Sequence, residues 1–292
     1  MNCLDDPSRV VSNRAMKLLV TGAGGRLGRA VTNAIRERGD QAIGVDLQGA
    51  DRQVDIRDPG QVFGVAAGCD ALIHCAAIPS PEKHAAEVVF ATNVLGTFNA
   101  LRAAELAGIR RVAMASSLSV LGGAWADPPH PPRYAPVDEA HPLEVEDPYG
   151  LSKVINERTA EMFSRRSGMC IAALRFGWIL SQAEATFEAQ QFDTDPLRNR
   201  NGLWGYIDER DAASACLTAI DAQPFGYEAF SIIGGDTLAT IPTADALAQH
   251  APGVEIRSAI AAYASPFNID RARVVLGWIP VHSWRNPEPE PD

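Results

Sequence analysis

Lys17-Leu18-Leu19-Val20-Thr21-Gly22-Ala23-Gly24-Gly25-Arg26-Leu27-Gly28-Arg29-Ala30 is the stretch that decides how this chain folds. Leu18 to Val20 is an apolar run of the kind buried in a parallel strand. The glycines at 22, 25 and 28 then open a pattern, Leu27, Val31, Ala34 and Ile35, spaced for one helix face. Gly22 permits the tight turn, Gly25 lets the backbone approach a pyrophosphate, and Gly28 lets the helix pack closely on the strand. Free amides at the helix N-terminus receive the phosphates. An ordinary glycine-rich turn has a similar composition. The strand before it and the helix after it supply the context that the motif requires.

A second strand, Gln41 to Asp46, ends on a carboxylate a little past twenty residues beyond the first glycine. Asp46 there can accept hydrogen bonds from the adenosine ribose and would repel a 2′-phosphate, which favours NAD over NADP. Its competing reading is a surface-turn aspartate. Beyond it, strands are expected at 52–56, 70–76, 110–116 and 169–176, and helices at 26–38, 58–67, 84–107 and 148–167. That alternation implies an α/β chain, a Rossmann-type doubly wound parallel sheet. After Arg175 the pattern loosens, with a helix at 208–222, a strand near 229–233 and helices near 243–250 and 268–276. The expected division is a flexible extension over 1–15, a dinucleotide-binding domain over 16–177, a small C-terminal substrate lobe over 178–285 that crosses back, and a disordered Pro/acid tail over 286–292. The Pro-rich segment from Gly122 to Pro148 is a long structured loop, and such loops are often functional.

The net charge of −10 over 292 residues argues against nucleic acid or an anionic membrane as partner. Five scattered cysteines, without Cys-x-x-Cys, fit a reducing, cytoplasmic setting. Cys69, Cys75 and Cys170 lie in or beside apolar runs and read as buried thiols. No metal spacing is visible among the histidines; His74, inside an apolar run, reads as packed or beside a cofactor.

Tyr149 and Lys153 fall four residues apart in Asp147-Pro148-Tyr149-Gly150-Leu151-Ser152-Lys153, one turn apart on a helix face. A lysine cation nearby favours the phenolate and lowers the tyrosine pKa, making a proton-transfer device for an alcohol or carbonyl. Such a pair also occurs by chance, as two solvated side chains. Its place downstream of a dinucleotide motif separates the two readings.

Taken together, these residues resemble the extended short-chain dehydrogenase/reductases, also called NAD-dependent epimerase/dehydratases, over roughly Lys17 to Trp284. The glycine spacing is similar to the extended-type fingerprint. Asp55-Ile56 resembles the pair that caps the adenine, and His74-Cys75-Ala76-Ala77 the segment running along the cofactor. Asn93 in Thr92-Asn93-Val94 matches the family's helix asparagine, and Ala115 to Gly122 its strand-five motif. Phe267 to Asp270 and Leu276 to Pro280 resemble the C-terminal signature.

The resemblance implies a catalytic set of Ser117, Tyr149, Lys153 and Asn93, with Ser116 as the alternative to Ser117. It implies NAD held by Gly22, Gly25, Arg26, Leu27, Gly28, Asp46, Asp55, Ile56, Ala76, Ala77, Asn93 and Lys153. The implied substrate set is Ser80, Ser117, Ser119, Tyr149, Arg175 and Trp178, with no metal. Trp178 stands where nucleotide-sugar enzymes usually carry an asparagine, and the short lobe also points to a smaller substrate, a sugar, uronate or related hydroxy compound. Gln182, Arg198, Trp204 and Tyr206 either face the pocket or pack the lobe; Arg175 or Arg198 could hold a carboxylate. Three functions follow: a dehydrogenase releasing NADH, an epimerase or dehydratase keeping its NAD, or a non-catalytic dinucleotide sensor. The last is disfavoured because the Tyr/Lys pair is present. By analogy, helices 84–107 and 148–167 form a homodimer interface.

Overall fold

A computed structural model describes residues 15–128 and 130–286. The extension at 1–14 and the tail from 287 onward lie outside the described residues.

The chain runs β1 (Lys17–Thr21), α1 (Arg26–Glu37), β2 (Gln41–Asp46), β3 (Arg52–Gln53), α2 (Pro59–Ala66), β4 (Ala71–His74), α3 (Ala86–Leu106), β5 (Arg111–Ser117), β6 (Tyr134–Ala135), α4 (Pro148–Ser167), β7 (Cys170–Phe176), β8 (Trp178–Leu180), α5 (Gln182–Gln191), β9 (Tyr206–Asp208), α6 (Glu209–Asp221), β10 (Tyr227–Ile232), α7 (Thr243–His250) and β11 (Glu255–Ile256). The main sheet has seven parallel strands in the order β10-β7-β5-β4-β1-β2-β3. It is the doubly wound sheet expected from the alternation. Strand order reverses beside β1, so the crevice at the carboxyl ends of β1 and β4 is where a ligand belongs. Leu18 and Val20 pack on α1 and α6, while Leu19 faces the α2–α3–α4 side. Both sheet faces are thus covered, which explains why the strand reads as an unbroken apolar run.

The expected strand at 52–56 narrows to Arg52–Gln53. Val54 and Ile56 turn into the core instead of continuing the edge strand, and short edge strands limit unwanted pairing. The helix expected from 84 starts at Ala86. A third core gathers Leu180, Phe192, Trp204, Tyr206, Leu247 and Phe267 with Val120 and Leu121, just before the long loop, and Val137 within it. Two small parallel pairs serve this part, β8 with β9 and β6 with β11. Among the described residues no helix is long and apolar enough to cross a membrane.

Candidate active site

Two cavities of about 770 and 350 Å³ open at the carboxyl end of the sheet. They share Gly22, Gly25, Cys75 and Ala77, and together form one slot.

The loop after β1 builds its floor. Gly22 has a left-handed φ of 73°, and a Cβ there would sit 2.5 Å from the Ala76 nitrogen. A Cβ on Gly28 would collide with the Gly22 carbonyl. Gly25 is the N-cap of α1; it brings no side-chain cap, and no acidic residue stands in the first turn. The helix therefore offers uncapped amides to an anion. Asp46 lines the smaller cavity with Asp55, Ile56, Ala76 and Ala77. Its Oδ2 accepts from the Gly24 amide at 3.0 Å. An uncapped helix start facing one cavity and a carboxylate in the other fit a dinucleotide. Arg26 and Leu27 line the larger cavity. Arg26 reaches Glu184 on α5 with two bonds of 2.5 and 2.7 Å and lies 3.6 Å from Glu209, tying the loop to the far wall. The Arg26 guanidinium holds the Glu184 carboxyl down to about 2.

The larger cavity also holds Ser80, Ser117, Ser119, Tyr149, Lys153 and Trp178. Asp147 caps α4 through its Oδ1, which accepts from the Gly150 amide at 2.8 Å, and Pro148 occupies the first turn. Tyr149 and Lys153 thus enter the cleft from adjacent turns. Lys153 Nζ donates to the Ala115 carbonyl at 2.8 Å and lies 5.6 Å from the Tyr149 ring centre. Ser117 Oγ donates to Ser119 Oγ at 3.1 Å and accepts from the Ser119 amide at 3.1 Å.

The family model for the NAD dependent epimerase/dehydratase family matches residues 18–232. The chain belongs to that family. L-arabinose 1-dehydrogenase (NAD(P)(+)) of Haloferax volcanii is 32% identical over 217 residues, 71% of this chain and 83% of that enzyme. A uronate dehydrogenase of Pseudomonas putida is 28% identical over 170 residues, 55% of this chain and 60% of the relative. A short-chain dehydrogenase/reductase superfamily protein from Agrobacterium tumefaciens, solved with bound NAD, is 25% identical with a TM-score of 0.71, covering 92% of this chain and 94% of its own.

In this epimerase/dehydratase-family member the electrostatics differ from the simple Tyr/Lys expectation. Burial pushes the Tyr149 phenol up to about 12, partly offset by the neighbouring Ser117 hydroxyl. Burial pulls the Lys153 amine down to about 8. Burial outweighs the lysine cation at the tyrosine, and the Lys153 amine points at the Ala115 carbonyl.

Two expected site residues do not line either cavity. Arg175 is buried, with Nε and Nη2 on Glu157 at 3.0 and 2.8 Å and Nη1 on the Glu139 carbonyl. Its guanidinium is unavailable to a substrate. Asn93 is buried and spends its amide on the Ile78 backbone and on Ser152 Oγ. It positions the loop after β4 and the first turns of α4 without touching the slot. Ser116, the alternative to Ser117, donates to Glu157 at 2.7 Å. His74 is packed between Thr21 and Thr97, and burial lowers its pKa to about 3, so it is neutral.

The four lobe candidates resolve as packing. Trp204 and Tyr206 are buried, bonded to the Pro196 carbonyl and to Asp236. Arg198 pairs with Glu188, and Gln182 donates to the Ser283 carbonyl. Sequence reading missed Glu82, Trp125, Asn199, Asn201 and Phe267 as lining residues. Trp125 lay within the Pro-rich loop already marked as functional; nothing in the sequence marked the asparagines. Of the cysteines, Cys75 is half-buried rather than buried, as is Cys170. The neighbouring Cys75 and burial push up the thiol of Cys216. Among the described residues no group of His, Cys, Asp or Glu could hold a metal ion.

Proposed function

We propose that this protein is an NAD-dependent oxidoreductase that moves a hydride between NAD and one carbon of a small hydroxylated substrate, a free sugar or close relative. The observation that carries this reading is that Ser117, Tyr149 and Lys153 line the same slot as the glycine loop. Bound NAD supplies the hydride acceptor, chemistry that belongs to the cofactor. Tyr149 takes the hydroxyl proton of the substrate. Ser117 orients the reacting oxygen, and Lys153, one turn along α4, holds the cofactor ribose and carries positive charge beside the tyrosine. Gly22, Gly25 and Gly28 admit the pyrophosphate. Asp46 accepts from the adenosine ribose, with Asp55 and Ile56 at the adenine. The arabinose and uronate dehydrogenases among the relatives support a compact substrate.

The family description also covers epimerases and dehydratases, which return the hydride. One experiment separates the two. Protein purified without cofactor should reduce added NAD when offered a panel of sugars, uronates and hydroxy acids. NAD that survives purification and denatures out of the protein, with no net NADH formed, would instead establish the epimerase reading. The exposed Leu95, Phe98 and Leu106 on α3 and Leu151 on α4 support a homodimer through these helices. The free described thiols are consistent with a cytoplasmic, reducing setting.

A further inference from the structure

Charged side chains are rarely buried, and a buried ion pair gains little stability over apolar residues of the same volume. Glu157 and Arg175 form such a pair, 2.8 Å apart, with side chains only 5% and 6% exposed. Their geometry points to another use. Glu157 lies on α4 four residues after Lys153, which lies four after Tyr149, so the three follow one helix face. Its Oε1 accepts from Ser116 Oγ at 2.7 Å and from Arg175 Nε at 3.0 Å, and its Oε2 accepts from Arg175 Nη2 at 2.8 Å. Arg175 stands opposite Ser116 in the β5–β7 register. One carboxylate therefore fastens two neighbouring strand ends to one helix.

Three consecutive residues at the end of β5 feel that fastening. Ala115 offers its carbonyl to Lys153 Nζ at 2.8 Å. Ser116 is held by Glu157. Ser117 follows it and lines the larger cavity with Tyr149 and Lys153. The Glu157 carboxylate also favours the charged Lys153 amine, against the effect of burial. The other titratable groups facing that amine are Tyr149 on its own helix and His74 and Cys75 at the end of β4. His74 is neutral, and β5 brings no titratable group to it, only the Ala115 carbonyl.

We propose that Glu157 is a positioning residue of this site: its carboxylate sets the end of β5 against α4, and with it the placing of Ser117 against Tyr149, and it keeps a negative charge one turn from Lys153. The proposal rests on the dehydrogenase reading for the reaction it serves, while the ionisation of Lys153 tests it without turnover.

Glu157→Gln alone strands the Arg175 guanidinium in the core and costs stability. The deciding variant is the double one, Glu157→Leu with Arg175→Met, which removes both charges and keeps the core filled. Its urea midpoint should stay near that of the native protein. Its kcat should nevertheless fall by about 10²-fold, the loss that a small misplacement of reacting groups brings. Ser116→Ala, which cuts one bond and leaves the ion pair, should lower kcat several-fold with KM nearly unchanged. The chain has three lysines, Lys17, Lys83 and Lys153. Isotope-labelled lysine therefore gives three ε-carbon resonances, whose chemical shifts follow ionisation. With no cofactor added, the Lys153 midpoint of the double variant should move to lower pH by about one unit, while Lys17 and Lys83 stay as they were. A native kcat in Ser116→Ala or in the folded double variant, or a Lys153 that titrates there as in the native protein, overturns the proposal. If the native protein forms no NADH from any substrate, the dehydrogenase reading falls and the Lys153 titration alone decides this inference. If NADH forms and the variants behave as the native protein does, this inference falls and the dehydrogenase reading stands.

Discussion

Tyr149 carries two opposed demands. In the proposed reaction it must lose a proton to serve as base, yet burial raises its pKa well above that of a free phenol. Alcohol oxidation needs the deprotonated form, so its rate should climb with pH from neutrality into the alkaline range, as the phenolate fraction grows. Tyr149→Phe should lower kcat by about 10²–10⁴-fold, flatten that climb and leave the NAD dissociation constant nearly as it was. Steady-state rates across pH, with NAD binding measured by fluorescence, check all three. Asp46 makes a separate demand. Replacing it with Ala should weaken NAD and relax the exclusion of NADP; the readout is the ratio of kcat/KM for the two cofactors. A native protein that used both equally would remove Asp46 from this role. At this scale the sequence was readable wherever spacing fixes position, and Gly22, Gly28, Tyr149 and Lys153 all line the larger cavity. It was unreadable where a long-range partner decides the outcome. Arg175 looked free because its partner Glu157 lies on another element, brought near only when α4 packs on β7.

Helix α4 delivers two of the site residues, and its start is held by few atoms. Asp147 Oδ1 holds the Gly150 amide, while its Oδ2 is buried without a partner. Burial accordingly raises the Asp147 carboxyl. Asp147→Ala should cost about 1 kcal/mol of stability, seen as a lower urea midpoint. It should also cut kcat, since Tyr149 lies in the first turn that the cap fixes. Asp147→Ser, which keeps a capping oxygen, should recover most of both. Elements with a period or a cap could be read in advance; α4 runs over Pro148–Ser167, the range expected. The pairs β8–β9 and β6–β11 could not, because two or three residues show no alternation to detect. Helix α5 was missed for a related reason. Only Ala185 and Ala189 of its ten residues are buried, so it carries little apolar stripe despite a full capping box at Ser181 and Glu184.

The molecule as a whole is a sheet whose carboxyl edge meets a smaller body, with the working slot along the seam. Arg26 ties one bank to the other through Glu184. The two cavities meet at Gly22, Gly25, Cys75 and Ala77. Any ligand long enough to occupy both must pass Cys75 at that junction. The protein thereby contains its own occupancy gauge. A small alkylating reagent should label Cys75 readily in the bare protein and slowly once NAD is bound, with peptide mass spectrometry reading the site. A free sugar alone should give little shielding, because it fills only one side of that junction. The gauge works in variants that have lost all turnover, so binding can be followed where chemistry has been silenced.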